Sequence, residues 1–236
     1  MSDTTSLNQA FFNKLAPDYD RRYQATVNRL QDELRTRATS LGLQQGGRLL
    51  DYACGTGLVT KALGDQLSQC VGVDISESMV QQYNAKAKAD GHSDKRIAYV
   101  GNLISPEDPS PAAFSSPNFF NFDMAGVGLG FHHVDDCDLA AKRLAERLRP
   151  GGAFFIVDFI SHAPVEYHSA SRGVRHHGFT EDQVKTIFDG AGVGKNFHYE
   201  EMSSDISFDH AHGEGKHMVR RVFFASGEKE GISAQI

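Results

Sequence analysis

The chain has 236 residues, 40% of them hydrophobic and 23% charged, enough to bury one sizeable core without disulfide or metal staples. Its net charge of −6 excludes a duplex-binding electrostatic footprint. The longest stretch free of Asp, Glu, Lys and Arg runs 14 residues from Pro109 to Phe122 and holds three prolines, too short and broken to span a bilayer. Cys54, Cys70 and Cys137 form no CxxC and cannot all pair with one another, which points to a reducing compartment, the cytoplasm. The first residues carry neither a basic start nor an apolar core of the kind that targets secretion.

In chain order, residues 7–41 read as helical and make an N-terminal extension. Short apolar runs bounded by glycine then alternate with helical patterns. Strands are expected at 48–52, 70–74, 97–100, 120–129 and 153–159, and helices at 58–67, 76–89 and 135–149, the last stopped by Pro150-Gly151. Residues 105–118 hold four of the seven prolines and no periodicity, as an irregular surface loop would. After a polar, His-rich stretch comes a helix at 180–190, with Thr180 as its N-cap. Two final strands are expected near 197–208 and 217–225. Strand–helix alternation of this kind predicts an α/β fold, a parallel sheet covered by helices on both faces. The whole is expected to be one domain: a helical lid at 1–45, a core at 46–227 and a tail at 228–236.

The informative segment is Leu49-Leu50-Asp51-Tyr52-Ala53-Cys54-Gly55-Thr56-Gly57. A strand ends in an acidic residue, and a Gly-x-Gly turn then opens a helix. Gly55 and Gly57 permit positive φ and let a ligand approach the backbone. Seventeen residues past Gly57, Asp74 ends the second apolar run, where a carboxylate can accept both hydroxyls of a ribose. A dinucleotide fingerprint would place Gly or Ala where Thr60 stands, and Asp51 would repel a diphosphate. The same carboxylate suits a cationic ligand. S-adenosylmethionine, with an ammonium and a sulfonium but no phosphate, fits better than a nicotinamide dinucleotide.

With these residues in place, the chain resembles the class I S-adenosylmethionine-dependent methyltransferases, in particular the small-molecule branch related to quinone biosynthesis. The resemblance runs from about Phe11 to Glu228 and rests on several segments in order. They are FNKLAPDYD (12–20), LLDYACGTG (49–57), GVDIS (72–76), GNL (101–103), FDMAGVGLGFHHV (122–134) and LRPGG (148–152). It implies a Rossmann-like three-layer sandwich with a seven-stranded sheet, six strands parallel and the last antiparallel. By position, Asp51, Ala53 and the Gly55–Gly57 turn would hold the methionine end of the cofactor, and Asp74 its ribose. Ile75 and Met79 would lie beside the adenine or ribose, and Asn102 and Leu103 would border the adenine. Gly126, Val127 and Gly128, ending the fourth strand, would approach the methionine portion, and Tyr19 would close over it. Two positions depart from the family pattern. Ala53 replaces a glycine, and Asn102 replaces an acidic residue, its amide oxygen expected to accept from the adenine amino group.

Methyl transfer from a sulfonium needs alignment and exclusion of water, and a hydroxyl acceptor also needs a base. His132 and His133, following the fourth strand, are the candidates for that base; a structural pair packed on the neighbouring helix is the other reading. Arg175, His176 and His177 are candidate acceptor contacts, or an exposed basic face. Phe12 and Tyr23, with Tyr19, form a lid over the acceptor or anchor the extension to the core. His210-x-His212 with His217 lacks the further ligands of a firm metal motif, so no metal is expected. The expected function is methyl transfer from S-adenosylmethionine to a small organic acceptor, at oxygen, with sulfur, nitrogen and carbon open. No nucleic-acid or membrane partner is expected, and the sequence is silent on oligomeric state. The alternative is a protein of this fold that binds the cofactor without transferring methyl, such as a cyclase.

Overall fold

The computed structural model describes residues 3–163, 173–209 and 217–231. His168, Arg172, His210 and His212 lie outside that set, as does the side chain of His217. The chain opens with α1 (Asp3–Thr36), broken where Tyr23 leaves helical geometry at φ −114°, ψ 16°. There follow β1 (Arg48–Tyr52), α2 (Leu58–Leu63), β2 (Gln69–Asp74), α3 (Glu77–Ala89), β3 (Arg96–Val100) and β4 (Phe122–Gly128). The second half contributes α4 (Cys137–Glu146), β5 (Leu148–Phe159), α5 (Glu181–Gly190), β6 (Lys195–Glu201), β7 (Ile206–Asp209), β8 (His217–Arg220) and β9 (Val222–Glu228).

The main sheet has the order β3-β2-β1-β4-β5-β9-β6. β9, last in the chain, runs antiparallel to both its neighbours, and the other pairs are parallel, which is the seven-stranded α/β sheet expected. The chain winds outward through β1, β2 and β3, then returns to lay β4 against the other side of β1. That reversal opens a crevice at the carboxyl ends of β1 and β4, where ligands bind in sheets of this kind. Side chains along β5 alternate between two cores. Phe154 and Ile156 pack with α4 and α5, whereas Phe155 and Val157 pack with α1 and α2.

Three local expectations need correction. The helix expected to reach Pro150 ends at Glu146, because Leu148 already pairs with Phe122 of β4. Arg147 just before it is drawn inward, donating to Phe114 O at 2.6 Å. That contact also explains the second correction: the Pro-rich loop is not purely superficial, since Phe114 is buried in the core. Third, each of the two final strands divides. β6 and β9 stay in the sheet, while β7 and β8 leave it as a hairpin packed on α1. Phe208 meets the Tyr23 ring there at 5.9 Å, and Thr26 Oγ1 donates to Ser207 O. Beyond β9 the chain stays tied in, as Lys229 Nζ donates to Ala145 O and Leu148 O, both at 2.8 Å. Among the described residues no helix is long and apolar enough to cross a membrane.

Candidate active site

Five residues after β1 include three with positive φ: Ala53 at 53°, Gly55 at 51° and Gly57 at 98°. Glycine adopts this geometry freely, whereas Ala53 sits there at a cost of about 1–2 kcal/mol. The two glycines do different work. A Cβ on Gly55 would meet nothing within 4 Å, so open space lies over its backbone. A Cβ on Gly57 would press the Tyr83 ring at 3.1 Å, so that glycine serves the turn and its packing. The turn is pinned by Asp74, whose Oδ2 accepts from Gly55 N–H and whose Oδ1 accepts from Ser76 N–H, both at 2.8 Å. Each oxygen retains a second acceptor position. Burial raises the Asp74 pKa, and the backbone donors oppose that rise.

Asp51 lies beneath the turn, not at its surface. Its Oδ2 accepts from Thr60 N–H at 3.1 Å and from the Thr60 hydroxyl at 2.8 Å. Burial pushes its pKa up to about 7, against those two bonds.

Above the turn lies a cavity of about 190 Å³. Among the residues singled out from the sequence, Phe12, Tyr19, Ala53, Gly55, Asp74, Ile75, Met79, Asn102, Gly128 and His133 line it. Asp51, Gly57, Leu103, Gly126, Val127, Tyr23, His132, Arg175, His176 and His177 do not. Leu103 turns into the core and Ile104 takes its place at the wall. Gly126 lies under the Phe155 ring, where a Cβ would come within 2.0 Å, and Val127 is buried. Of the expected Gly126–Gly128 stretch only Gly128 lines the cavity, and Leu129 and Gly130 continue its wall. The amide oxygen of Asn102 is not free for an adenine amino group. It accepts from the Tyr52 hydroxyl at 3.0 Å and from Ile104 N–H at 2.9 Å.

The first half of α1 closes over this cavity through polar contacts. Gln9 Nε2 donates to Ile75 O at 2.9 Å, and Asn13 Oδ1 accepts from Ser76 Oγ at 2.7 Å and Ser78 N–H at 3.1 Å. Thr56 Oγ1 donates to Asp20 Oδ1 at 2.6 Å. Tyr19 is held against the cavity, and burial pushes its hydroxyl pKa up, so it stays protonated. Tyr23 sits at the break in α1, packed on Tyr19 and Phe208.

The paired histidines occupy different surroundings. His132 Nδ1 stands 2.7 Å from Asp158 Oδ1, and its backbone N–H donates to Asp158 Oδ2 at 3.0 Å. Phe159 N–H also donates to Asp158 Oδ1, at 2.7 Å. The buried carboxylate accepts throughout, which places a His132 proton on Nδ1 and leaves Nε2 as the ring nitrogen that Asp158 does not hold. Nε2 has no hydrogen-bond partner among the described residues. His133 stacks beside it at 4.2 Å between ring centroids, and its Nδ1 lies 3.2 Å from Gly173 O. Burial, with His132 alongside, holds the His133 pKa well below the usual imidazole value, so that ring is neutral. Asp158 escaped sequence reasoning, although an acidic residue inside the apolar run Phe154–Phe159 was a signal of a buried partner.

The expected basic acceptor contacts are otherwise engaged. Arg175 Nε pairs with Asp135 Oδ1 at 2.8 Å. His176 Nε2 lies 3.0 Å from Val134 O and 3.4 Å from Cys137 Sγ. His177 faces His162, their rings 5.7 Å apart. Among the described residues no group of three or more His, Cys, Asp or Glu is placed to hold a metal.

A ligand crevice at the sheet's reversal, a Gly-x-Gly turn and an acidic residue ending β2 make the layout that the resemblance to methyltransferases led one to expect. The comparisons agree. A family model described as a methyltransferase domain matches residues 18–194, and the chain belongs to that family. It is 30% identical over 185 residues to an uncharacterized methyltransferase of Schizosaccharomyces pombe, covering 75% of this chain and 63% of that one. It is 28% identical over 160 residues to a ubiquinone/menaquinone biosynthesis C-methyltransferase of a Geobacter species, covering 64% and 62%. Among solved structures, phosphoethanolamine N-methyltransferase 2 of Haemonchus contortus, in complex with S-adenosyl-L-methionine, superposes with a TM-score of 0.60 at 15% identity. That match covers 84% of this chain and 52% of the other. The chain thus carries a methyltransferase domain, and it spans about six-tenths of the length of the first curated relatives it matches.

Proposed function

We propose that this enzyme methylates a hydroxyl oxygen of a small organic acceptor, with the paired histidines supplying the base: His133 lines the cavity, and His132 beside it is oriented by Asp158. The observation that carries the proposal is the 2.7 Å contact between His132 Nδ1 and Asp158 Oδ1, which leaves Nε2 as a base. The chain's residues suit the cofactor. Asp74 keeps an acceptor position on each oxygen for the ribose hydroxyls, and Gly55 leaves its backbone open beneath. None of the described lining residues is Lys or Arg, while Asp74 and Glu107 are among them, a setting that favours a cation. When bound, S-adenosylmethionine supplies an electrophilic methyl group on a positively charged sulfur.

The rest is positioning. The walls at Gly55 and at Gly128–Gly130 receive the methionine end, and Phe12, Tyr19 and Leu129 offer an acceptor apolar contact. Residues 1–45 act as a lid over a core at 46–227, excluding water through the contacts of Gln9, Asn13 and Asp20. His133, neutral and lining the cavity, contacts the acceptor beside the base. The three free, buried cysteines suit a reducing compartment such as the cytoplasm.

The test is formation of S-adenosylhomocysteine with a panel of phenols, followed by product analysis. Asp158→Asn removes the carboxylate charge that orients His132 and sets an amide N–H against one of the main-chain donors it now accepts from, so it weakens the base. The expected loss in kcat is on the order of 10²–10⁴. Full turnover in Asp158→Asn and His132→Ala would remove the base assignment. A methyl group found on a ring carbon would overturn the choice of oxygen.

A further inference from the structure

Arg220 is a cation with no carboxylate partner among the described residues. It ends β8, half-buried, and its guanidinium makes one hydrogen bond, from Nη1 to Val219 O at 2.8 Å. Its Nε is sealed from solvent and has no acceptor. Burial lowers its pKa, and no acidic group among the described residues opposes that fall. Arg221, the next residue, shows the ordinary arrangement, its Nη2 paired with Glu201. A half-buried guanidinium is costly unless its donors meet an acceptor.

Two imidazoles share its surroundings. Just past β5, Ile160 N–H donates to Arg221 O at 3.0 Å and His162 N–H donates to His177 O at 2.9 Å. These bonds gather three segments distant in sequence: the end of β5, residues 173–179 and the end of β8. The rings of His162 and His177, both half-buried, stand 5.7 Å apart. His162 Nδ1 lies 2.8 Å from Ala163 O, and a carbonyl only accepts, so that nitrogen carries a proton. The other ring nitrogen, Nε2, has no hydrogen-bond partner among the described residues. Burial lowers the His162 pKa, and Arg220, His177 and His132 lower it further by their positive charge. Every described side chain that acts on His162 in this way is an arginine or a histidine.

We propose that Arg220, His162 and His177 form a binding site for an oxyanion, a carboxylate or a phosphate group, separate from the cavity over the Gly-x-Gly turn. None of the three lines that cavity, whose charged lining residues are all acidic. The two places therefore select ligand groups of opposite sign. A planar guanidinium matches the paired oxygens of a carboxylate or phosphate, and each imidazole adds a donor when protonated. An anion beside His162 favours the protonated ring, so binding takes up a proton.

The probe is sulfate, whose charge is constant near neutral pH. Imidazole resonances of the whole chain are followed by NMR as sulfate is added, with His162→Asn and His177→Asn assigning the two signals. Both signals should shift in a saturable way, and sulfate should bind more tightly at about pH 6 than at about pH 8. In Arg220→Gln, at a melting temperature matched to wild type, the dissociation constant should rise at least about tenfold, the loss of one charge-assisted hydrogen bond. His177→Asn, on a segment outside the sheet, should weaken sulfate as well and serves where Arg220→Gln melts early. A wild type with no saturable shift, or a folded variant that binds sulfate as wild type does, would overturn the site. Competition then identifies the source of the anion. Displacement of sulfate by 4-hydroxybenzoate and not by phenol puts the anionic group on a hydroxylated acceptor. Displacement by inorganic phosphate and by neither aromatic makes it a free anion. The readout needs no turnover, so the site stands or falls independently of the acceptor proposed above.

Discussion

Replacing Asp51 by Asn should make the fold less sensitive to pH. Asp51 is 1% exposed, and its pKa is pushed up to about 7. In the unfolded chain the same carboxyl titrates near about 3.9. Between those values the unfolded state has released its proton and the folded state has not. The stability that this carboxyl contributes is therefore fully present below about pH 4 and is lost as pH rises through about 7. A gap of about three pH units corresponds to ~4 kcal/mol, an upper figure because local relaxation and water penetration soften the burial of a charge. Asp51→Asn keeps the local bonds, since an amide oxygen accepts from Thr60 N–H and the Thr60 hydroxyl as Oδ2 does now. Urea unfolding of the cofactor-free proteins, repeated from pH 4 to pH 8, reads the difference directly. The variant should match wild type near pH 4 and exceed it at pH 8 by up to ~4 kcal/mol. Parallel pH curves, or a variant weaker than wild type at pH 8, would refute the reasoning.

Asp74→Ala should cost stability as well as affinity. It strips acceptors from Gly55 N–H and Ser76 N–H, each bond to a charged group worth about 1.5–3 kcal/mol, with part returned by no longer burying a carboxylate. Melting and S-adenosylhomocysteine calorimetry should both fall, and unchanged affinity would contradict the ribose assignment. Gly173→Ala should loosen the lid, because Gly173 has φ +69° and a Cβ there would come within 1.9 Å of Asn8 Oδ1. Asn8 Nδ2 now donates to His133 O and Gly173 O, both at 3.4 Å. A loss of about 2 kcal/mol or more is expected, with faster hydrogen exchange in the first half of α1. Exchange rates equal to wild type would show that this clasp does not hold the lid.

The centre of the sheet was legible because strands covered on both faces must be apolar runs, and glycines mark their ends. The edges of elements were less so. Pro150-Gly151 reads as a helix stop, but the event that ends α4 is the pairing of Leu148 with Phe122, which is not local. Likewise β6 and β7 each alternate, Phe197 with Tyr199 and Ile206 with Phe208, and the contacts of β7 with the Tyr23 and Thr26 side of α1, distant in sequence, hold it outside the sheet. Asp158 escaped for the same reason. Its partner His132 is 26 residues away and is brought to it by the parallel alignment of β4 with β5.

Asp51 and Asp74 show where local pattern stops being informative about a site. Each is an acidic residue at the end of an apolar run, and each invites the same assignment. Strand register separates them. Asp51 pairs with Gly72 on one side and Gly126 on the other, and Tyr52 carries β1 one residue further. It is still inside the sheet, so its carboxylate meets Thr60 at the start of α2 and not the cavity. Asp74 lies two residues beyond Gly72 and is the last residue of β2, so its carboxylate emerges where the turn crosses and meets Gly55 N–H. A difference of two residues in register thus places one carboxylate under the site and the other in it, and makes the first a matter of stability with pH and the second a matter of binding.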